Sequence, residues 1–414
     1  MKPVTMKEVT LRRVAVTGLG IVSCLGSSLD DVSSALRLGR NGIQFVEDYR
    51  ARGFNCQVAG VPLVVDEAPI ERKFARFMGM TSKYAYYATR RAIADAGLSM
   101  EAVRSPRTGA VIGSGVGAIS ECQDTLDVMR ERGLDKVPPY IVPRAMSSTT
   151  SACIATAFGL EGITYSPSSA CTTSALAIGQ AMELIQMGKQ DRVLAGGAEE
   201  LHWAPTSMFD VMGALSHGFN DEPQRASRPY DVLRDGFVLA GGAGILVLEA
   251  LDHALARGAT IYGELIGYGC CTVGADMVVP SAAGMARAMR TALETVAAPV
   301  DYLNTHAPST PRGDLAELAA VLDVFGTSVP PLSSVKGLTG HSLGACGAQE
   351  AIYTLLMLRD GFMAGCANLE TPDPAIDLRA LVRVSRDAQL HTVMTNNFGF
   401  GGTYASLVFN RYQA

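Results

Sequence analysis

Gly162-Ile-Thr-Tyr-Ser-Pro-Ser-Ser-Ala-Cys171-Thr-Thr-Ser-Ala-Leu-Ala-Ile-Gly179 is the stretch on which the reading of this chain turns. Ile163 to Tyr165 is a short strand-like run that passes into a turn of small residues. A long apolar helix is expected from about Thr172 to Met187, stopped by Gly188. This order places the Cys171 sulfur at a helix N-terminus, where unpaired N–H groups and the helix dipole favour a thiolate. The thiolate is the nucleophilic form of Cys. A free Cys is more often simply buried, but strand, tight turn, Cys, helix is a nucleophile mount.

Outward from this stretch, strand-like and helical runs alternate. Val14–Val16, Ala110–Ile112, Arg192–Ala195, Gly244–Leu248, Tyr302–Asn304, Thr392–Thr395 and Ala405–Val408 are short, apolar and rich in β-branched residues. Helices are expected over Lys83–Ala96, Met285–Val296, Asp314–Phe325 and Ala345–Leu358. The pattern predicts an α/β protein whose strands are covered on both faces. The only composition seam, Ala256 to Ala259, suggests two βα-rich halves, 1–255 and 256–414. Asn41 to Met80 and Thr125 to Ile154 fit the alternation poorly and are expected to leave the core.

Composition excludes several classes. The 414 residues are 48% hydrophobic and 18% charged, with net charge −5, so there is no broad basic field for nucleic acid or an anionic membrane. Nine scattered cysteines, without Cys-x-x-Cys or Cys/His zinc spacing, read as reduced thiols of a cytoplasmic protein that holds no metal. Arg12-Arg13 before Val14-Ala-Val-Thr-Gly-Leu-Gly superficially resembles a twin-Arg export signal. The glycines, the short apolar run and the globular pattern beyond it favour a first core strand. No apolar run reaches the roughly 18 residues of a membrane helix.

Cys171 needs polar partners, and the chain has six histidines. His306 follows the apolar strand ending at Thr305. His341 lies in Lys336-Gly-Leu-Thr-Gly-His-Ser-Leu-Gly-Ala345, a glycine-rich turn into a helix. Catalytic groups of open α/β sheets gather at such strand ends and helix starts; His202, His217, His253 and His391 have no comparable setting. In Asn397-Phe-Gly-Phe400-Gly-Gly-Thr403, glycines allow close backbone approach and free N–H groups to hold an oxyanion. Gly340-His-Ser-Leu-Gly344 matches a hydrolase elbow only superficially, because no apolar strand ends before it and no acid-then-His order follows. Gly113-Ser-Gly-Val-Gly-Ala lacks dinucleotide spacing. Glu199-Glu200 and Asp314/Glu317 have no His at ligand spacing, so ion-pair or capping roles are expected.

With these residues in order, the chain resembles the β-ketoacyl-acyl carrier protein synthases, condensing enzymes of the thiolase fold, and among them synthase I. The resemblance runs from Val16-Thr-Gly-Leu-Gly-Ile-Val-Ser23 to Phe398-Gly-Phe-Gly-Gly-Thr403, through Ser227-Arg-Pro-Tyr-Asp231 and Arg234-Asp-Gly-Phe237. It implies a layered αβαβα architecture built from two similar halves, a homodimer, no cofactor, and decarboxylative condensation of an acyl-Cys enzyme with malonyl-acyl carrier protein. By the same resemblance Cys171 carries the acyl group, and His306 and His341 stabilise the enolate. Lys336 orients the site, paired with Glu317. The amides of Cys171 and Phe400 form an oxyanion hole, and the Phe400 ring gates the two steps. Thr310, Phe398, Gly401 and Gly402 meet the substrate, and Arg72, Lys73 and Arg76 dock the acidic carrier protein.

Two places depart from the family pattern. His306-Ala-Pro-Ser-Thr310 stands for His-Gly-Thr-Ser-Thr, so Pro308 replaces a hydroxyl that meets the pantetheine arm, fixes φ and removes an N–H. Tyr404 stands where the loop has Asn. Both are features expected of a paralogue serving a secondary pathway. A non-catalytic, chain-length-determining partner of a heterodimer is the competing reading; such partners usually lack the nucleophile, which this chain keeps. A degradative thiolase needs a second catalytic Cys at a Gly-rich turn, whereas Cys346 and Cys366 are read in a helix and an apolar strand.

Overall fold

The computed structural model describes residues 10–64, 68–375 and 380–413. Ten strands form its main sheet: β1 Val14–Val22, β2 Thr108–Gly113, β3 Thr164–Tyr165, β4 Arg192–Glu199, β5 Gly242–Ala250, β6 Gly263–Thr272, β7 Tyr302–Asn304, β8 Leu332–Ser333, β9 Thr392–Gly399 and β10 Thr403–Asn410. Their spatial order is β8-β7-β9-β10-β6-β1-β5-β4-β2-β3. The first five strands run 3-2-4-5-1 from the edge inward, and the second five repeat that order. In both sets the outer three strands are parallel and the inner joins antiparallel. The sets meet at β1 and β6 through two residue pairs, Ala15↔Glu264 and Val16↔Gly263.

Helices fill three layers. Met80–Asp95 covers β1, β5 and β4 from outside, and Ala282–Leu293 covers β6 and β10. Between the two sets lie Thr173–Gln186 and Cys346–Asp360, which touch each other. Every residue from Cys346 to Leu358 is buried, as a helix walled by sheets on both sides must be. This is the αβαβα sandwich of two similar halves.

Glycine explains why the first and sixth strands were hard to delimit in sequence. A Cβ at Gly18 would lie 2.5 Å from the Ala92 carbonyl oxygen, and one at Gly20 1.9 Å from that of Ala88. Gly267 and Gly269 meet Ala292 and Ala288 of the opposite cover helix in the same way, at 2.2 and 2.1 Å. Helix and strand backbones touch there, so no side chain fits. The expected Val14–Val16 strand therefore extends to Val22, and β6, with three glycines, shows no β-branched run at all.

Asn41 to Met80 does leave the core, with a two-stranded sheet (Ile43–Phe45 with Val58–Gly60). Thr125 to Ile154 does so only in part, because the Thr149–Phe158 helix packs on β2 and on Met80–Asp95. Val14–Val22 is wholly buried core, not an export signal. Among the described residues no helix is long and apolar enough to cross a membrane.

Candidate active site

The mount of Cys171 is tighter than the sequence suggests. After the two-residue strand Thr164–Tyr165, a 3-10 turn (Ala170–Thr172) opens the Thr173–Gln186 helix. Ala170 sits at φ +46°, a left-handed conformation that costs a residue with a Cβ and persists only where the surroundings impose it. The helix N-terminus is present, but it does not settle the ionisation. Burial pushes the Cys171 thiol up to about 12, against the pull of the Lys336 charge. The resting group is a thiol, and a base is needed.

His341 is the group within reach of the thiol, its Nε2 3.0 Å from Cys171 Sγ. Its ring stands 5.1 Å from His306 at 85°. Burial, then the charge of Lys336, hold both imidazoles well below the usual 6.5, so both are neutral at pH 7. Lys336 Nζ lies 3.4 Å from His306 Nδ1. An ammonium can only donate, so Nδ1 accepts and Nε2 carries the proton.

The expected Lys336–Glu317 pair does not form. Lys336 is ion-paired with Glu350 at 2.5 Å, and Glu350 also accepts from Asn397 Nδ2 at 2.6 Å. Burial alone would lower the lysine; the Glu350 carboxylate outweighs it and keeps the ammonium charged. Glu317 instead accepts the backbone N–H of His306 (2.9 Å) and Ala307 (2.7 Å) and the Asn396 amide (3.1 Å). It is the cradle of the His306 turn. Sequence reasoning missed Glu350, although a Glu inside an otherwise apolar helix was its signal.

These groups open onto a cavity of about 600 Å³ lined by Cys171, His306 and His341. Val116, Phe209, Phe237 and Leu343 form one apolar wall with Cys171; Met285, Phe398 and Tyr404 form another. Phe400, at the β9–β10 turn, lies 6.4 Å from Phe209 and is 37% exposed. Thr310 and Gly402 also line the cavity, while Gly401 does not and donates its N–H to the Met277 carbonyl. Thr310 Oγ1 accepts from Gly313 N. Tyr404 is buried; its hydroxyl accepts from Ser281 N at 2.8 Å, and its ring packs on Phe398. Pro308 lines the cavity without disturbing the His306 cradle.

Cys346 is nearer the site than its place in a helix suggests. It opens that helix directly after the Gly-rich turn, and its thiol donates to the Cys171 carbonyl at 3.3 Å. It does not line the cavity, however. Cys366 lies beyond the Phe362–Met363 strand rather than in it. Arg72, Lys73 and Arg76 are exposed around the short Arg72–Ala75 helix, with Lys73 bridged to Glu71. Among the described residues no His/Cys/Asp/Glu cluster could hold a metal ion.

A cysteine with a histidine base and a second neutral histidine over an apolar cavity, on a duplicated αβαβα frame, defines a thiolase-like condensing enzyme. Residues 11–254 match the β-ketoacyl synthase N-terminal domain and residues 262–370 the C-terminal domain, so the chain belongs to the β-ketoacyl synthase family. It is 51% identical over 403 residues to 3-oxoacyl-[acyl-carrier-protein] synthase 1 of Escherichia coli, covering 97% of this chain and 99% of that one. A β-ketoacyl synthase from Burkholderia phymatum superposes with a TM-score of 0.92 at 40% identity, over 97% and 100% of the two chains. A type II polyketide synthase acyl-carrier protein in complex with its ketosynthase matches with a TM-score of 0.89 at 30% identity, over 97% and 100%. The activity is that of an acyltransferase, a β-ketoacyl-acyl carrier protein synthase of fatty acid elongation.

Proposed function

We propose that Cys171, His306, His341 and Lys336 divide the condensation among them. Cys171 Sγ attacks the thioester of acyl-acyl carrier protein while His341 Nε2 takes the thiol proton and passes it to the departing pantetheine sulfur. The acyl group is then held on Cys171, which splits a hard step into two. Malonyl-acyl carrier protein enters next. Its C–carboxylate bond breaks, CO2 leaves, and the electron pair moves to the thioester oxygen. There the enolate is stabilised by the Nε2–H of His306 and by that of His341, whose remaining proton has moved from Nδ1 to Nε2 after acyl transfer. The enolate carbon attacks the acyl-Cys carbonyl, the oxyanion is held by the amides of Cys171 and Phe400, and collapse expels the Cys171 thiolate, which takes a proton from solvent.

Lys336 keeps His306 in the Nε2–H tautomer, Glu317 fixes its backbone, and Phe400 gates the cavity. Thr310, Phe398 and Gly402 contact substrate as cavity lining, with Gly401 holding the turn. Arg72, Lys73 and Arg76 dock the carrier protein. The chain acts in the cytoplasm as a homodimer; the support for the dimer is β3, an edge strand whose Tyr165 and the preceding Ile163 are exposed, which a second copy can cover. Light scattering measures the assembly.

The observation that carries the mechanism is the 3.0 Å Cys171–His341 contact inside the apolar cavity. Intact-protein mass spectrometry after incubation with acyl-acyl carrier protein tests it. One acyl group on Cys171 is expected, and an unmodified Cys171 overturns the assignment.

A further inference from the structure

Glu199 ends β4 and is wholly buried beneath Cys171, outside the division of labour described above. Its Oε2 accepts the N–H of Gly115 (2.8 Å) and of Gly344 (2.9 Å). Its Oε1 accepts the Ser114 hydroxyl (2.6 Å) and the N–H of Val116 (3.3 Å). All four partners are donors, and none is a Lys or Arg. The acceptors thus tie two segments that are far apart in sequence: the loop after β2, which contributes Val116 to the cavity, and the 3-10 turn Leu343–Ala345, just after His341.

The two segments touch at this point. A Cβ on Gly344 would lie 2.2 Å from Gly115 N, and one on Gly115 3.0 Å from the Ala170 carbonyl, the residue before Cys171. Three pieces of backbone therefore converge within van der Waals distance, and Glu199 bonds two of them to each other, with the Ala170 carbonyl packed against the Gly115 it holds. Neighbouring Glu200 faces elsewhere, accepting from Ser120 N and Oγ.

We propose that Glu199 is a positioning residue for Cys171, whose carboxylate clamps the Gly113–Gly117 loop to the Leu343–Ala345 turn and so fixes the cavity wall and the His341 side of the nucleophile together. The proposal rests on Cys171 being the nucleophile. Burial pushes the Glu199 carboxyl up to about 7, against the Ser114 hydroxyl and the three amides. A proton on Oε1 fits only if the Ser114 hydroxyl turns round to accept it, while Ser114 Oγ goes on accepting from Gly117 N. The clamp therefore has two states at neutral pH. The other ionisable groups facing this knot are Cys171 on its turn, Cys346 and Glu350 on the Cys346–Asp360 helix, and Lys336, which is committed to Glu350.

The test is the pH profile, from 5.5 to 9, of Cys171 alkylation by iodoacetamide, mapped by peptide mass, alongside acyl transfer from acyl-acyl carrier protein. Wild type should show an inflection near pH 7. Glu199→Gln, which keeps the shape and removes the charge, should lose it and lower kcat for acyl transfer about tenfold, the scale of a small misplacement, with KM for the carrier protein unchanged. Ser114→Ala should keep the inflection but move it to higher pH, because a donor that favours the carboxylate is gone. An inflection that survives Glu199→Gln, or a fall in Tm with an unaltered profile, overturns the proposal. Should Glu199→Gln fail to fold, Ser114→Ala decides alone, and an unmoved or lowered inflection is the overturning result. Alkylation needs no condensation, so proteins that show the profile yet transfer no acyl group would sink the functional reading and leave the clamp standing.

Discussion

In the N-terminal half, the helix after the third strand starts at Ala170–Thr172, a 3-10 turn whose first residue has φ +46°. In the C-terminal half, the corresponding helix starts at Leu343–Ala345, again with φ +46° at the first residue. The second residue of the turn is Cys171 in one half and Gly344 in the other. The loop after the second strand likewise carries small residues, Ser114 to Gly117, in the first half but His306 in the second. One frame thus carries two sets of groups: the first half supplies the cysteine proposed as nucleophile and room around it, the second supplies the two histidines and the only buried ammonium among the described residues. Equal backbones do not imply equal roles, because the side chain at a single turn position decides what each half contributes.

The largest expected effect separates the two half-sites directly. Cys171→Ala should lower acyl transfer by roughly a thousandfold or more, whereas Cys346→Ala, at the first helical residue of the other half, should still form the acyl adduct by intact mass. An adduct surviving Cys171→Ala would mean the wrong turn has been chosen.

Next are the histidines. His306→Ala and His341→Ala should each cut malonyl decarboxylation about a hundredfold, the usual loss for an oxyanion donor; unchanged CO2 release would remove that role. The pH profile splits them. Because His341 is held well below 6.5, it stays an unprotonated base at neutral pH, so once the Glu199 inflection is removed by Glu199→Gln, acyl transfer should be flat from 6.5 upward and fall only on acidification. Without His341 the rate should instead climb with pH toward the raised thiol value of about 12.

The carboxylates of the C-terminal half come third. Glu350→Ala strands Lys336 as a buried, unpaired charge and should cost about 3–5 kcal/mol of stability. Glu317→Ala strands three buried donors instead, the N–H groups of His306 and Ala307 and the Asn396 amide, at about 1–3 kcal/mol each, and should disturb His306 but not the ionisation of Lys336. Denaturant unfolding at rising pH separates them: the Glu350→Ala loss should shrink as the stranded Lys336 deprotonates, and a loss that shrinks for Glu317→Ala instead would restore Glu317 as the lysine's partner.

Smaller changes concern the surface and the cavity rim. Charge reversal at Arg72, Lys73 and Arg76 should lower kcat/KM several-fold at low ionic strength, fading as salt is added, with pantetheine thioesters unaffected. An equal loss on both substrates makes the patch structural. Pro308→Thr with Ala307→Gly adds one hydroxyl, worth about 1 kcal/mol, and should change KM for a housekeeping carrier protein a few-fold at most. A rise rather than a fall in KM marks the Ala-Pro turn as an adaptation to a different partner.

Much of this was legible in the sequence. Cys171 at its mount, His306 after a strand and His341 at a glycine-rich turn stand out because the chemistry-bearing residues occupy the strand-to-helix transitions. The partner of Lys336 was not legible. Choosing between Glu317 and Glu350 depends on which face of each helix meets the site, and Glu350 sits in a helix buried on all sides, so its sequence pattern reveals no single face. Thiol ionisation was misread for a different reason: the helix dipole can be inferred from local sequence, whereas desolvation depends on walls from both halves. Glu199 showed only as half of an acidic pair, because its partners are backbone amides, which leave no mark in a sequence.

The knot around Gly115, Ala170 and Gly344 also bears on how the protein matures. Cys171 and His341 are 170 residues apart in the chain, and Glu199 and Gly344 145 apart, so loops of that size must close before either contact exists. Long-range closure of this kind is slow, and the left-handed turns at Ala170 and Leu343 gain nothing until the opposite half arrives to hold them. Chain synthesis reaches Cys171 well before His341, so the nascent thiol spends that interval without its base or cavity. Competence should therefore come late: in a refolding experiment it is expected in the slowest kinetic phase, after the helices and the bulk of the sheet.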